Sequence, residues 1–223
     1  LCINFDAPVV KEAASWFLGG VFLNYNSSYL ERALEQMLDE ADSPEVTRFL
    51  RAVDVRIDGF RVEKAPEGRG QRVFVKHEVD GKGYELRLSE ESAGTQKLMG
   101  LAAFLLAALE RGGTVIVDEL DAKLHPKLLR YVILLFKDPE VNKHGAQLIF
   151  SSQDVSTMRN DVFRRDEIWF AARGEGEASQ LWSLADIHEA NGNLVSKNAA
   201  FDKQYLSGRY GADPYLTRIE EWD

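Results

Sequence analysis

Two adjacent carboxylates close the run "TVIVDE", Thr114 to Glu119. A buried parallel strand that ends on an acid delivers it to the carboxyl edge of a sheet, where nucleotides and their metals sit. A second acid beside it can orient or deprotonate an attacking water. Asp118 is therefore the metal-side candidate and Glu119 the candidate general base. Strands also end in polar residues without any site, so the pair by itself fits an ordinary strand terminus equally well.

The neighbouring stretches add weight. Upstream, "LSEESAGTQKL" places Ser92, Ala93 and Gly94 at the start of a long helix. Ser92 can cap that helix, and the small residues after it leave backbone amides open to an oxyanion, with the helix dipole adding favourable potential. An unliganded N-cap accounts for Ser92 as well. Downstream, "LDAKLHP" brings Asp121 and His125, and "LIFSSQD" ends the next apolar run in polar side chains that include Gln153. Polar residues crowding the ends of adjacent parallel strands mark the place where such sheets hold ligands.

The elements that position these residues are legible in the pattern. The helix Ser92 to Arg111 is apolar nearly all round and stops at Gly112-Gly113, a fitting C-terminal signal. Buried strands are expected at Thr114 to Asp118 and Gln147 to Ser151, a helix after Pro126, and two more strands in "EIWFAA" and "QLWSL". Alternating buried strands and helices predict an α/β fold with a mainly parallel sheet. Before it, "VDVRIDGFRVEK", "QRVFVKHEV" and "YELRLS" alternate apolar and polar residues across the turn material "APEGRGQ" and "DGKG", which predicts antiparallel strands with one wet face.

From Asp6 to about Val53 the sequence reads helical, with Leu30, Leu34, Met37 and Leu38 at helical spacing after Ser28, and a second run beginning at Pro44. The texture thus divides the chain into a helical segment, 1–53, and a remainder, 54–223. The close, "FDKQYLSGRYGADPYL", reads as a docked tail rich in aromatic residues.

Composition bounds the classes. No apolar run reaches the length of a membrane span; one cysteine, Cys2, and no secretion signal point to the cytoplasm. A net charge of -9 argues against a nucleic-acid-binding surface on this chain alone, leaving nucleic acid to a partner in a complex. The chain opens on Leu1 rather than Met, which points to a piece of a longer protein.

In order, "SAGTQ", "VIVDE", "LDAKLHP" and "SSQD" resemble the signature motif, the Walker B strand, the D-loop and the switch loop of an ABC-type ATPase domain. More narrowly, with "FLRAVDVRIDGFRVEK", "DEIWF" and "YLSGRYGADPYL", the chain resembles bacterial AAA-family ATPases of the ABC type, encoded beside restriction or abortive-infection genes. The resemblance runs from Phe49 to the C-terminus. It implies a P-loop NTPase fold of ABC-ATPase type, ATP and Mg2+ as ligands, and two protomers that sandwich ATP. Ser92 and Gly94, with Ala93 between them, would contact the γ-phosphate held on the partner protomer. Asp118 would serve the metal and Glu119 the water, while Asp121 and His125 would lie in the D-loop at the dimer interface. Gln153 stands where the family has a switch histidine; glutamine can hydrogen-bond a phosphate oxygen but carries no proton charge at neutral pH.

The phosphate-binding loop that should accompany these motifs is missing. "SWFLGGVF" has glycines without lysine, and "DGKGYE" has no Ser or Thr after Lys82 and no helix. The expectation is a C-terminal part of a longer ATPase, inactive alone, whose dimer gates an effector nuclease carried on another polypeptide in anti-phage defence. Two alternatives stand beside it. One is an SMC-related DNA-repair ATPase, which DNA-stimulated hydrolysis would reveal. The other is a non-catalytic ABC-like scaffold, which would not bind nucleotide. His77, His144 and His188 are isolated and read as surface or turn residues; Trp169 and Trp182 read as core.

Overall fold

The computed structural model describes residues 8–24, 44–53, 57–64, 71–173, 178–189 and 191–212. The chain clusters into two compact units, Leu1–Gln153 and Asp154–Asp223.

The first unit contains a three-stranded parallel sheet in the order β1 (Val21–Asn24), β5 (Thr114–Val117), β6 (Gln147–Phe150). Helix α1 (Pro8–Gly20) runs directly into β1. "VFLN" is thus a strand inside the stretch expected to be helical, and its register pairs Val21 with Thr114 and Asn24 with Val117. The expected helix around Leu30 to Leu38 lies outside the described residues, whereas the Pro44 run forms α2 (Pro44–Ala52) as its spacing predicts.

The long helix α3 (Ala93–Arg111) carries the core of this unit, with Leu98, Met99, Leu101, Ala102, Leu105 and Ala108 at most 1% exposed. Burying such side chains contributes roughly 1.5–3 kcal/mol each for the larger ones. Ser92 caps the helix by accepting from Thr95 N–H (3.1 Å), and Gly112 ends it in a left-handed conformation, φ 75°. Helix α4 (Pro126–Lys137) links β5 to β6 and packs Leu129, Val132 and Ile133 inward.

Strand β5 is buried as expected, but β6 is not. It is an edge strand among the described residues, and its outward Ile149 is 54% exposed. An apolar run predicts a strand; it does not say how many neighbours that strand has. The sheet expected to be mainly parallel is likewise one of three. The others are antiparallel: β2 (Gly59–Lys64), β3 (Gln71–Val79) and β4 (Lys82–Arg87) in this unit, and β7 (Trp169–Arg173) with β8 (Ser179–Ser183) in the second. The β3–β4 hairpin turns on Asp80 and Gly81, both at positive φ (52° and 73°), the conformation a two-residue hairpin requires. Phe60 and Val75, paired in register, bury the inner face of the three-stranded antiparallel sheet.

The second unit closes around Ile168, Phe170, Leu184, Val195, Phe201 and Tyr210. Phe170 stacks on Tyr205 (centroids 5.7 Å, planes 4° apart) and meets Tyr210 at 5.3 Å. The aromatic tail is therefore docked up to Ala212, with Phe201 opening the short helix α5 (Phe201–Leu206). Trp182 packs against this core, but Trp169 is 57% exposed, contrary to the expectation that both are core. Side chains alternate along a strand, and the inward register belongs to the Phe170–Trp182 pair.

Candidate functional site

Beyond the ends of β5 and β6 the two strands remain tied. Ser151 N–H donates to Val117 C=O (3.1 Å) and Leu120 N–H to Ser151 C=O (3.0 Å). Leu120 is fully buried and anchors the turn, while Asp118 and Glu119, the two residues that follow the strand end, are exposed. The Ser151 hydroxyl donates to Asp118 Oδ1 (2.5 Å) and accepts from Glu119 N–H (2.7 Å). The serine just after β6 thus fixes both acids that follow β5.

Glu119 has φ 49°, a left-handed conformation in a residue with a side chain. Such conformations persist only where the surroundings over-determine them, and they cluster at functional sites. Its carbonyl accepts from Lys97 Nζ (2.5 Å) and from Ala122 N–H (3.0 Å). Lys97 reaches over from α3 and also donates to Ala122 C=O (2.9 Å). Burial pushes the Lys97 ammonium below the ordinary lysine value, partly opposed by the negative charges of Asp121 and Glu119.

Asp121 accepts from Gln153 N–H at Oδ2 (3.3 Å), and its other oxygen, Oδ1, is buried without a hydrogen-bond partner. An orphaned buried carboxylate oxygen is costly. The structure therefore brings Asp118, Glu119, Asp121 and Gln153 together at one strand edge. Ser92, Ala93 and Gly94 start α3, and a Cβ built on Gly94 would stand 2.9 Å from Lys123 C=O, so this helix end abuts the turn after Glu119. The Ser92 hydroxyl serves as a cap and also pairs with Thr95 Oγ1 (2.9 Å). His125 is exposed and caps α4, its Nδ1 accepting from Lys127 N–H (3.1 Å).

Sequence reasoning missed Lys97 and Ser151. Ser151 carried a signal in the polar run "SSQD"; Lys97, one turn into the helix, carried none. His77 is also more engaged than an isolated surface residue, its Nε2 standing 2.6 Å from Glu91 Oε1 on the approach to Ser92. A surface cleft of about 390 Å³ lies between α2 and the β2–β3 strands, lined by Arg48, Arg51 and Lys76 among others, and none of the strand-edge residues borders it.

Among the described residues no three His, Cys, Asp or Glu side chains could hold an ion by themselves. Mg2+ is commonly bound through one or two carboxylates with substrate phosphates and water completing its shell. A single aspartate at a strand end, as Asp118 stands, fits that use. No helix among the described residues is long and apolar enough to cross a membrane.

Residues 9–159, more than half of the chain, match the family model described as "AAA domain, putative AbiEii toxin, Type IV TA system". The chain belongs to this family. Its α/β unit is accordingly a P-loop-NTPase-like ATPase fold, built from small sheets of both parallel and antiparallel kind. None of the curated proteins matches. Among solved structures, one from work on ATP-driven dimerization and DNA-stimulated activation of SMC ATPases matches at 16% identity and TM-score 0.40, covering 70% of this chain and 84% of that one. The Smc head domain with a coiled coil and joint from Pyrococcus yayanosii matches at 17% identity and TM-score 0.40, covering 74% of this chain and 28% of that one.

Proposed function

We propose that this AAA-family domain is the C-terminal portion of an ABC-type ATPase that closes two protomers around ATP, and that hydrolysis reopens them. The observation that carries this reading is the Asp118–Ser151–Glu119 constellation, two acids at a parallel strand edge with the second held at positive φ. Asp118 would hold Mg2+, whose charge offsets that building on the phosphates. Glu119 takes the proton of the attacking water, and Gln153 hydrogen-bonds a phosphate oxygen without supplying charge. The N-terminal amides of α3, from Ser92 to Gly94, serve the γ-phosphate of the other protomer.

The phosphate-binding loop would come from a segment outside this chain whose strands extend the parallel sheet. The edge of β6, open among the described residues, and the exposed Ile149 support that placement. The family's description, which includes a type IV toxin–antitoxin system, supports a role in bacterial abortive infection or anti-phage defence, with the ATPase dimer gating an effector nuclease subunit. Glu119→Gln in the complete protein tests the reading: ATP-dependent pairing persists while turnover is lost. Turnover unchanged in that variant would overturn it.

A further inference from the structure

Glu119 does not hold its conformation through its own side chain. Its peptide is gripped at both ends by side chains from other elements: the N–H by Ser151 Oγ of the β6 end at 2.7 Å, and the C=O by Lys97 Nζ of α3 at 2.5 Å. The residue between those grips stands at φ 49°, a region that residues bearing a Cβ seldom occupy. The grips span 32 and 22 residues of sequence, so neither is a by-product of local turn geometry.

The geometry points to Lys97 and Ser151 as a backbone clamp that positions Glu119 for its part in hydrolysis. Neither residue touches the reacting atoms; Lys97 acts through the Glu119 backbone, and Ser151 through that backbone and the Asp118 carboxylate. The Glu119 C=O also accepts from Ala122 N–H (3.0 Å) and Leu120 N–H is held by Ser151 C=O (3.0 Å); with the side-chain grips removed, these backbone bonds alone hold the turn, and Glu119 is positioned less closely. Lys97 is suited to the role because its ammonium is half-buried against two carbonyls rather than solvated. It lies five residues beyond Ser92 on the same helix and so fastens the oxyanion end of α3 to the catalytic turn. Ser151 is suited because one hydroxyl serves Asp118 and Glu119 at once, which sets the two acids relative to each other.

This inference rests on the assignment of Glu119 as general base, and the test separates the two. In the complete protein, Lys97→Met and Ser151→Ala are compared with Lys97→Arg, Ser151→Thr and Glu119→Gln for ATP turnover, with thermal unfolding followed in parallel. Removing a group that orients a reacting residue lowers kcat roughly 10- to 100-fold, with KM for ATP unchanged in Lys97→Met, the variant that leaves the Ser151–Asp118 bond in place. Thr at 151 keeps the hydroxyl and Arg at 97 keeps donors for the carbonyls, so both restore turnover at least in part. If Glu119→Gln abolishes turnover while Lys97→Met and Ser151→Ala keep the wild-type kcat, the clamp is wrong and the base assignment stands. A fall in kcat that tracks lost stability, moves KM equally and is not rescued by Arg or Thr also overturns it. Turnover retained in Glu119→Gln removes the assignment on which the clamp depends.

Discussion

Gly112 closes α3 at φ 75°, and a Cβ built there would stand 2.3 Å from the carbonyl oxygen of His144. Gly81, in the β3–β4 turn, has nearly the same φ, 73°, and open space around its Cβ position. The two glycines separate conformational strain from steric clash. An alanine in the left-handed region costs roughly 1–2 kcal/mol, less about 0.4–1 kcal/mol returned by the stiffer unfolded chain. That difference is the expected effect of Gly81→Ala. Gly112→Ala adds the cost of forcing the end of α3 from the 144–145 backbone, an overpacking penalty of about 1–3 kcal/mol. Thermal unfolding of the complete protein, followed by far-ultraviolet circular dichroism, should rank wild type above Gly81→Ala and Gly81→Ala well above Gly112→Ala. At a few degrees per kcal/mol the separation is measurable. Equal midpoints for the two variants would refute the claim that the α3 terminus is packed against the turn before β6.

Tyr210 and Gln153 supply two further expectations. Tyr210 is 4% exposed, its phenol donates to Gln204 Oε1 (2.6 Å), and burial pushes that phenol up to about 12 from the usual 10. Its folded value is the higher one, so the stability it contributes is complete below pH 10 and lost as pH rises toward 12. The absorbance difference between wild type and Tyr210→Phe should titrate near the upper value; a midpoint at the ordinary tyrosine value would contradict the burial. Gln153→His would give the switch position a titratable ring, so turnover of the complete protein should gain a pH dependence centred around 6.5. A pH profile unaltered by the substitution would remove Gln153 from the site.

The parts of the fold that were legible share a local signal. Ser92, an apolar helix and Gly112 announce both ends of α3, and Asp80-Gly81 between alternating runs announces the β3–β4 hairpin. The Asp118–Glu119 pair was legible for the same reason, since a short apolar run states where its strand stops. Strand β1 was not. "VFLN" follows a helix without punctuation, and what makes it a strand is pairing with residues more than ninety positions later. The exposure of β6 and of Trp169 follows from which faces and edges have neighbours, which periodicity does not record. Lys97 and Ser151 belong to the same class, because their hydrogen bonds to Glu119 join three elements distant in sequence. Ser92 was legible as a helix cap and caps α3 here, whereas the cap that His125 supplies to α4 was not anticipated.

The reading stands on Glu119 as the base for ATP hydrolysis, and phosphate release measures that directly. The complete protein and its Glu119→Gln variant, shown by circular dichroism to be equally folded, are assayed side by side with saturating ATP and Mg2+. A general base contributes about a hundred- to ten-thousandfold, and loss of turnover on that scale is the predicted result. Equal rates of phosphate release from the two proteins would contradict the account.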